Sequence, residues 1–292
     1  MVIPGNTIAN SIKEKLKKKV SALPIPPHLA VVIVGNDPSS LKYISRKKKV
    51  GEEIGIKVTV FHLSSLEKLL RLLKSLNEDK TVHGIIIQRP VPLPIRKEEL
   101  DLLVKPEKDV DGFHPQSKFM PPISEAILEI LKWVYNQENR NPVIRDSSIE
   151  KRQTKNEEQF FHNWLSQKKV LIIGRGETGG IPIAKMLTAM GINPIIAHSK
   201  TENIKKLCLT SDIIISCVGK ENIVRHDMVS KKTVLIGVGM HPEETPPASL
   251  TFSPDYTIGE IKDRVAYYTP VPGGVGPVNV ACLLKNVVET VK

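Results

Sequence analysis

The sequence predicts an α/β protein of two domains, each a doubly wound parallel sheet, the C-terminal one of Rossmann type. Short apolar runs alternate with stretches of helical spacing along most of the chain, the pattern of parallel strands joined by crossover helices. One run, Val170–Ile173, stops at a glycine turn that a helix follows, giving a strand–turn–helix unit. A chain of 292 residues is long enough to bury a large core and to divide it in two.

Taken in order, Ile8 to Val20 reads as an amphipathic helix and Leu29–Val34 (LAVVIV) as a buried strand. Gly35-Asn36-Asp37-Pro38 closes that strand with a strong turn signal, and Ser39 or Ser40 can cap the helix that runs to about Ile54 and stops at Gly55. Val58–Leu63 is the second strand, Ser64 or Ser65 caps a helix to about Asn77, and Val82–Ile87 (VHGIII) is the third. Ligands of such sheets bind beyond the carboxyl ends of the strands. Tyr43 and Lys47, four apart on the helix after Gly35, share a face there, and Gln88 follows the third strand in a proline-stiffened loop, Gln88–Pro94. A lysine that is desolvated or placed among cations gives up its proton readily, and Arg46, Lys48 and Lys49 are its neighbours. Taken alone, the pair reads as surface decoration. A helix over about Arg96–Val104 leads to Pro106-Glu107-Lys108-Asp109-Val110-Asp111-Gly112-Phe113, an acidic turn that serves either as a cap or as a carboxylate aimed into a cleft.

A helix from Ile123 to about Tyr135 carries the chain into its second half. Asn136 to Gln167 is polar, mixed in charge and nearly devoid of apolar periodicity, the composition of a mobile surface insertion. Beyond the strand Val170–Ile173, the spacing Gly174, Gly176, Gly179 fits G-x-G-x-x-G, with Gly180 next and helical spacing over Ile183–Met190 up to Gly191. Such a turn points backbone N–H groups and a positive helix end at a phosphate. An NAD site usually places an acid about 20 residues on. Here the strand Ile195–Ala197 runs into His198-Ser199-Lys200-Thr201 instead, and Ser199, Lys200 and Arg175 suit a 2′-phosphate, so the residues favour NADP. Asp212–Ser216 and Val234–Ile236 are further strands whose ends, near Gly219 and Gly239, face the same ligand. Thr269–Pro277 (TPVPGGVGP) is a stiff loop whose glycines allow close approach, and by composition alone it reads as a linker between domains. A last helix spans Val278 to about Val291.

Composition narrows the class. Lys plus Arg exceed Asp plus Glu by 42 to 31, a formal charge of +11, yet aromatics are only 4% and no aromatic–basic interleaving marks a nucleic-acid surface. An anionic small substrate and a phosphorylated cofactor suit the same charge. No apolar run reaches membrane-spanning length, no secretory signal opens the chain, and Cys208, Cys217 and Cys282 fall into no metal or redox spacing, which together lead us to expect reduced thiols, no metal and a cytoplasmic protein.

Ser40-x-x-Tyr43-x-x-x-Lys47, Gln88 before its proline loop, PEKDVDGF (106–113) and TPVPGGVGP (269–277), in that order, resemble the bifunctional methylenetetrahydrofolate dehydrogenase/cyclohydrolase family. The resemblance covers nearly the whole chain, with about 116–167 outside it. It implies two reactions: oxidation of 5,10-methylenetetrahydrofolate to the 5,10-methenyl cation with NADP, then hydrolysis to 10-formyltetrahydrofolate in one-carbon metabolism. By the same resemblance Lys47, Tyr43, Gln88 and Asp111 are catalytic. Ser40, Tyr43, Gln88, Asp111, Pro272, Gly273 and Gly274 bind folate, and Gly174, Arg175, Gly176, Gly179, Ser199, Lys200, Gly219 and Gly239 bind NADP. Residues 1–120, completed by 272–292, would form the folate-binding catalytic domain. Residues 121–271 would form the NADP domain, with an insertion at about 136–167, the site would lie in the cleft between the two, and the protein would be a homodimer. Several positions depart from the family pattern: Met120-Pro121-Pro122-Ile123 for Pro-Cys-Thr-Pro, Gly176 for Ser, Gly179 for Val, Gly237 for Asp, Asn279 for Thr, and Glu260 in a Gly-Asp-Val-like place. Two rivals stay open. One is a dehydrogenase with weak or no hydrolysis, and the other is a basic nucleic-acid-binding protein on a Rossmann-like scaffold.

Overall fold

The computed structural model describes residues 1–139, 150–243 and 251–291. The chain divides into two compact units: residues 9–125 with 279–292, and residues 1–8 with 126–278. The chain therefore crosses between units at Ile8/Ala9, Glu125/Ala126 and Val278/Asn279, the first eight residues grouping with the later unit.

Helix α1 (Gly5–Ser21) leads to β1 (His28–Val34), α2 (Pro38–Glu53), β2 (Lys57–Leu63), α3 (Leu66–Glu78), β3 (Gly84–Ile87) and the short α4 (Lys97–Asp101). The strands pair in parallel in the order β2-β1-β3, with β1 buried along its whole length. Such burial explains why LAVVIV is apolar throughout and does not alternate. On one side of the sheet Leu29, Val31 and Ile33 pack with α1, α2 and the end of the chain; on the other Ala30, Val32 and Val34 pack with α3 and Leu100. The cap of α2 is Asp37, whose side chain accepts from the Ser40 backbone, two or three residues earlier than the serines the sequence suggested. Pro38 then takes the first helical position, where its missing N–H costs nothing. Ser65 caps α3 as expected. The third strand and α4 are shorter than their apolar patterns.

Helix α5 (Pro122–Glu138) contains the Glu125/Ala126 division, and α6 (Glu150–Ser166) occupies much of the segment whose composition suggested an irregular insertion. Its apolar residues crowd into the last two turns, where Phe161 and Leu165 are buried and Phe161 and Trp164 pack with Tyr135. Residues 140–149 of that insertion lie outside the described residues. Next come β4 (Val170–Ile173), α7 (Gly180–Ala189), β5 (Ile195–Ala197), α8 (Ile204–Leu209), β6 (Ile213–Ser216), β7 (Val234–Gly237), β8 (Met240–Glu243), β9 (Thr251–Pro254), α9 (Ile258–Ile261), β10 (Tyr267–Tyr268) and α10 (Val275–Thr290). Five strands make a parallel sheet in the order β10-β7-β6-β4-β5, the doubly wound arrangement that the sequence predicts. Strands β8 and β9 form an antiparallel pair that no sequence signal announced. Among the described residues, no helix is long and apolar enough to cross a membrane.

Candidate active site

In a doubly wound sheet the ligand crevice opens at the carboxyl ends where the strand order reverses. In the first sheet that point lies between β1 and β3, and the expected residues sit on its rim. Tyr43 and Lys47 project from α2, after β1, and Gln88 is the first residue beyond β3. Lys47 is buried, 6% exposed; its Nζ donates to Gln88 Oε1 at 3.0 Å and lies 5.4 Å from the centroid of the Tyr43 ring. Gln88 is itself fixed by donating from Nε2 to the Arg89 carbonyl at 3.0 Å. Burial pushes the Lys47 ammonium well below the ordinary lysine range, and the Asp111 carboxylate opposes that shift. Burial likewise pushes the Asp111 carboxyl up, against the pull of Lys47 and Arg89, although part of its surface stays open. Four residues from three separate stretches of sequence thus make one coupled group.

Asp111 is held by its turn. The buried Asp109 carboxylate accepts from the backbone of Gly112 at 3.1 Å and of His114 at 2.7 Å. Its carboxyl is pushed up to about 6, by burial first and by the nearby Asp111 charge. Gly112 has φ +70, and a Cβ there would meet the Phe119 carbonyl at 2.6 Å, so the turn packs directly on the 119–121 segment. Asn286 of α10 donates from Nδ2 to the carbonyls of Val110 (2.9 Å) and Met120 (3.0 Å), tying those two segments together. The Arg89 guanidinium stacks over Phe113, 4.1 Å from its centroid, and is paired with Asp101.

Sequence reasoning noted Asn279 only as a departure from the family. Its Nδ2 lies 3.4 Å from the Tyr43 hydroxyl, while its Oδ1 is buried with no hydrogen-bond partner among the described residues. Burial raises the Tyr43 phenol, and Asn279 partly offsets that. Ser40 is buried in the first turn of α2, where its N–H serves the cap.

The second unit repeats the topology, with the reversal between β4 and β6. Gly174 ends β4 at φ +104, and a Cβ there would lie 2.8 Å from the Cys217 carbonyl at the end of β6. Gly180, opening α7, could not carry a Cβ either, since it would fall 2.0 Å from the Gly174 carbonyl. Arg175 and Gly176 are exposed at the tip, and Gly176 has open space around it; Gly179 is buried near Cys217. Ser199 and Lys200 are exposed in a turn after β5 that Thr201 closes by accepting from the His198 N–H at 2.8 Å. These residues fit a dinucleotide phosphate: bare backbone, a helix start and two exposed cations, with His198, Ser199 and Lys200 and no acid at the tip of β5. Gly219 and Gly239 both lie against Asp255, an acid that the sequence reading passed over. Gly219 donates its N–H to Asp255 Oδ1 at 2.7 Å, and a Cβ on Gly239 would sit 2.4 Å from Oδ2. Glu260 is exposed and faces His226 at 3.2 Å, so the acid that reaches these strand ends is Asp255. Pro272 is exposed, Gly273 adopts φ +101 and accepts from the Asn6 N–H at 3.1 Å, and Gly274 is buried against Pro270. Among the described residues, no group of three His, Cys, Asp or Glu side chains is placed to hold a metal.

Two family models match the chain: the tetrahydrofolate dehydrogenase/cyclohydrolase catalytic domain over residues 3–111 and the corresponding NAD(P)-binding domain over residues 159–292. The bifunctional protein FolD of Acetivibrio thermocellus is 34% identical over 307 residues, covering 100% of this chain and 96% of that protein. The FolD structure from Campylobacter jejuni superposes with a TM-score of 0.83 at 32% identity, covering 100% of this chain and 98% of that one. FolD of Trypanosoma brucei, solved with NADP cofactor and inhibitor, gives 0.83 at 27% identity and covers 99% of this chain and 96% of that one.

Proposed function

Because the chain belongs to the tetrahydrofolate dehydrogenase/cyclohydrolase family, we propose that it oxidises 5,10-methylenetetrahydrofolate to the 5,10-methenyl form with NADP, and hydrolyses that form to 10-formyltetrahydrofolate. The observation that carries the reading is the buried Lys47 amine held by Gln88 beside Tyr43 and coupled to Asp111. A hydride donor needs little help from a protein when the carbon left behind is flanked by two nitrogens that stabilise its cation. For that step the residues chiefly orient and exclude water. NADP, when bound, supplies the hydride acceptor. Gly174, Gly176 and Gly179 would hold its pyrophosphate, and Arg175, Ser199 and Lys200 its 2′-phosphate.

Hydrolysis moves protons and needs a titratable group. Desolvation keeps the neutral Lys47 amine accessible, so it takes a proton from water as the oxygen bonds to the methenyl carbon. The ammonium then returns a proton to N5 as the carbon–N5 bond breaks, while the hydroxyl on that carbon releases its proton to solvent and becomes the formyl C=O on N10. Gln88 aims the amine, Tyr43 stacks on the pterin, and the two oxygens of Asp111 accept from paired N–H donors on the pterin edge. Ser40 and the loop through Pro272, Gly273 and Gly274 complete the folate contacts. The homodimer is part of the same proposal, supported by β5, an edge strand that exposes Ile195 (44%) and Ile196 (45%). A monomer in sedimentation velocity would remove it.

The test is one assay of the purified protein on 5,10-methylenetetrahydrofolate with NADP or NAD. The expected result is reduced cofactor together with 10-formyltetrahydrofolate, with NADP preferred. Methenyl product that accumulates unhydrolysed would leave a dehydrogenase alone, and preference for NAD would overturn the reading of Arg175, Ser199 and Lys200.

A further inference from the structure

We propose that Asp255 and Tyr256 are positioning residues for the two ligands, Asp255 setting the loop on the cofactor side and Tyr256 the start of the loop on the folate side. The inference rests on the ligand assignments just made. Asp255 follows β9 and is fully buried. Its Oδ2 accepts from Ser216 Oγ and from the Val218 N–H at 2.9 Å, and its Oδ1 accepts from the N–H groups of Gly219 (2.7 Å) and Lys220 (3.0 Å). Three successive backbone N–H groups converging on one point make an anion-binding concavity. Here the chain fills that concavity with its own carboxylate. The Gly219 N–H is thereby used up, so the loop meets a cofactor through its other atoms, and its shape depends on Asp255. Four donors also offset the cost of burying the charge. Gly239, at the end of β7, carries no side chain at the one place where a Cβ would collide with both Asp255 and the Gly219 nitrogen, each at 2.4 Å.

Tyr256, 2% exposed, turns the other way. Its hydroxyl donates to the Thr269 carbonyl at 2.6 Å, and Thr269 Oγ1 accepts from the Gly237 N–H at 2.8 Å. The ring covers Gly237, where a Cβ would meet its Cε1 and hydroxyl oxygen at 3.0 Å. That space accounts for the glycine at a position where the family commonly has Asp. Thr269 opens the TPVPGGVGP loop, so adjacent residues anchor one loop each.

Methenyl hydrolysis takes no cofactor, and it provides an internal control in the full-length protein. In Asp255→Asn an amide replaces one acceptor oxygen, and the KM for NADP should rise about tenfold. Its kcat should hold within threefold, and hydrolysis of supplied methenyltetrahydrofolate should stay within twofold of the parent. Ser216→Ala removes a single bond, is milder should Asp255→Asn fail to fold, and should raise the KM for NADP about threefold with the same control. Tyr256→Phe should raise the folate KM about fivefold in both reactions and leave that for NADP unchanged. Parallel loss of both activities in Asp255→Asn or Ser216→Ala, or a lowered melting temperature with all KM values unchanged, overturns the proposal. A parent enzyme without either activity would instead refute the function itself.

Discussion

In both sheets the first strand lies between the second and the third, as β2-β1-β3 in one unit and β5-β4-β6 in the other. Both therefore open a crevice at the same point of the topology. What lines the two crevices differs in kind. Around β1 and β3 stand side chains with chemistry, Lys47, Tyr43 and Gln88, joined by Asp111 and mostly withdrawn from water. Around β4 and β6 stand glycines and backbone, with the cations Arg175 and Lys200 at the exposed tips and one buried carboxylate, Asp255, occupied by the loop after β6. A group that must move protons needs a tuned pKa, which burial supplies; a group that must only be held needs bare N–H groups, which glycine supplies. On the proposed function, one topology would serve two tasks through what is placed at its reversal point.

The sharpest way to break this division is Lys47→Met. It should lower methenyl hydrolysis by about 10²–10⁴-fold, the usual range for a general acid–base group, while NADP reduction persists. Absorbance of the methenyl chromophore measures the first and NADPH formation the second. Equal hydrolysis by variant and parent would end the claim that the first crevice holds the proton chemistry. The converse is Gly180→Ala, whose methyl group would strike the Gly174 carbonyl. Backbone strain of about 1–3 kcal/mol should weaken NADP binding by roughly tenfold or more, read by fluorescence titration, with hydrolysis retained.

Smaller effects sharpen the picture within the first crevice. Asp109 binds its proton more tightly folded (about 6) than unfolded (near 3.9). The stability this contributes is present below about pH 4 and lost as the pH rises through about 6. Urea unfolding at pH 5 and pH 7 should show a fall of about 1 kcal/mol in the parent and a shallower one in Asp109→Asn, the two-unit shift setting an upper bound near 3 kcal/mol over the full range of pH. Asp111→Asn removes the charge that supports the Lys47 ammonium. The hydrolysis–pH profile, whose apparent pKa should already lie below the ordinary lysine value, should then move lower still, by up to about one unit. A profile that moves upward would mean that Lys47 is not the titrating base.

How far the sequence foretold all this depends on how local each feature is. That Tyr43 and Lys47 share a face was readable from helical spacing, though only the resemblance marked them as a site, and Gly174 was readable because a strand, a turn and a helix adjoin in sequence. Asn279 reaches Tyr43 across 236 residues, and Asn286 reaches Val110 across 176. No periodicity records such a meeting. Asp255 was passed over because an acid after a short edge strand looks like any turn residue until its four donors are seen. Helix α6 was missed because its apolar side chains are confined to its last two turns, and its earlier turns match a solvated linker. The cap of α2 was misplaced because Asp37, Ser39 and Ser40 are all good caps, and only the backbone decides among them.

The hold of Asn286 on the Asp111 turn bears on how the protein is made. Residues 28–111 leave the ribosome early, and α10 is translated only after the entire dinucleotide unit. Until then the carbonyls of Val110 and Met120 lack their clasp, and the Asp111 turn waits for Asn286, translated much later, before it is tied in place. A frameshift beyond Asn279 would therefore spoil chemistry encoded far upstream while leaving the nucleotide sheet whole.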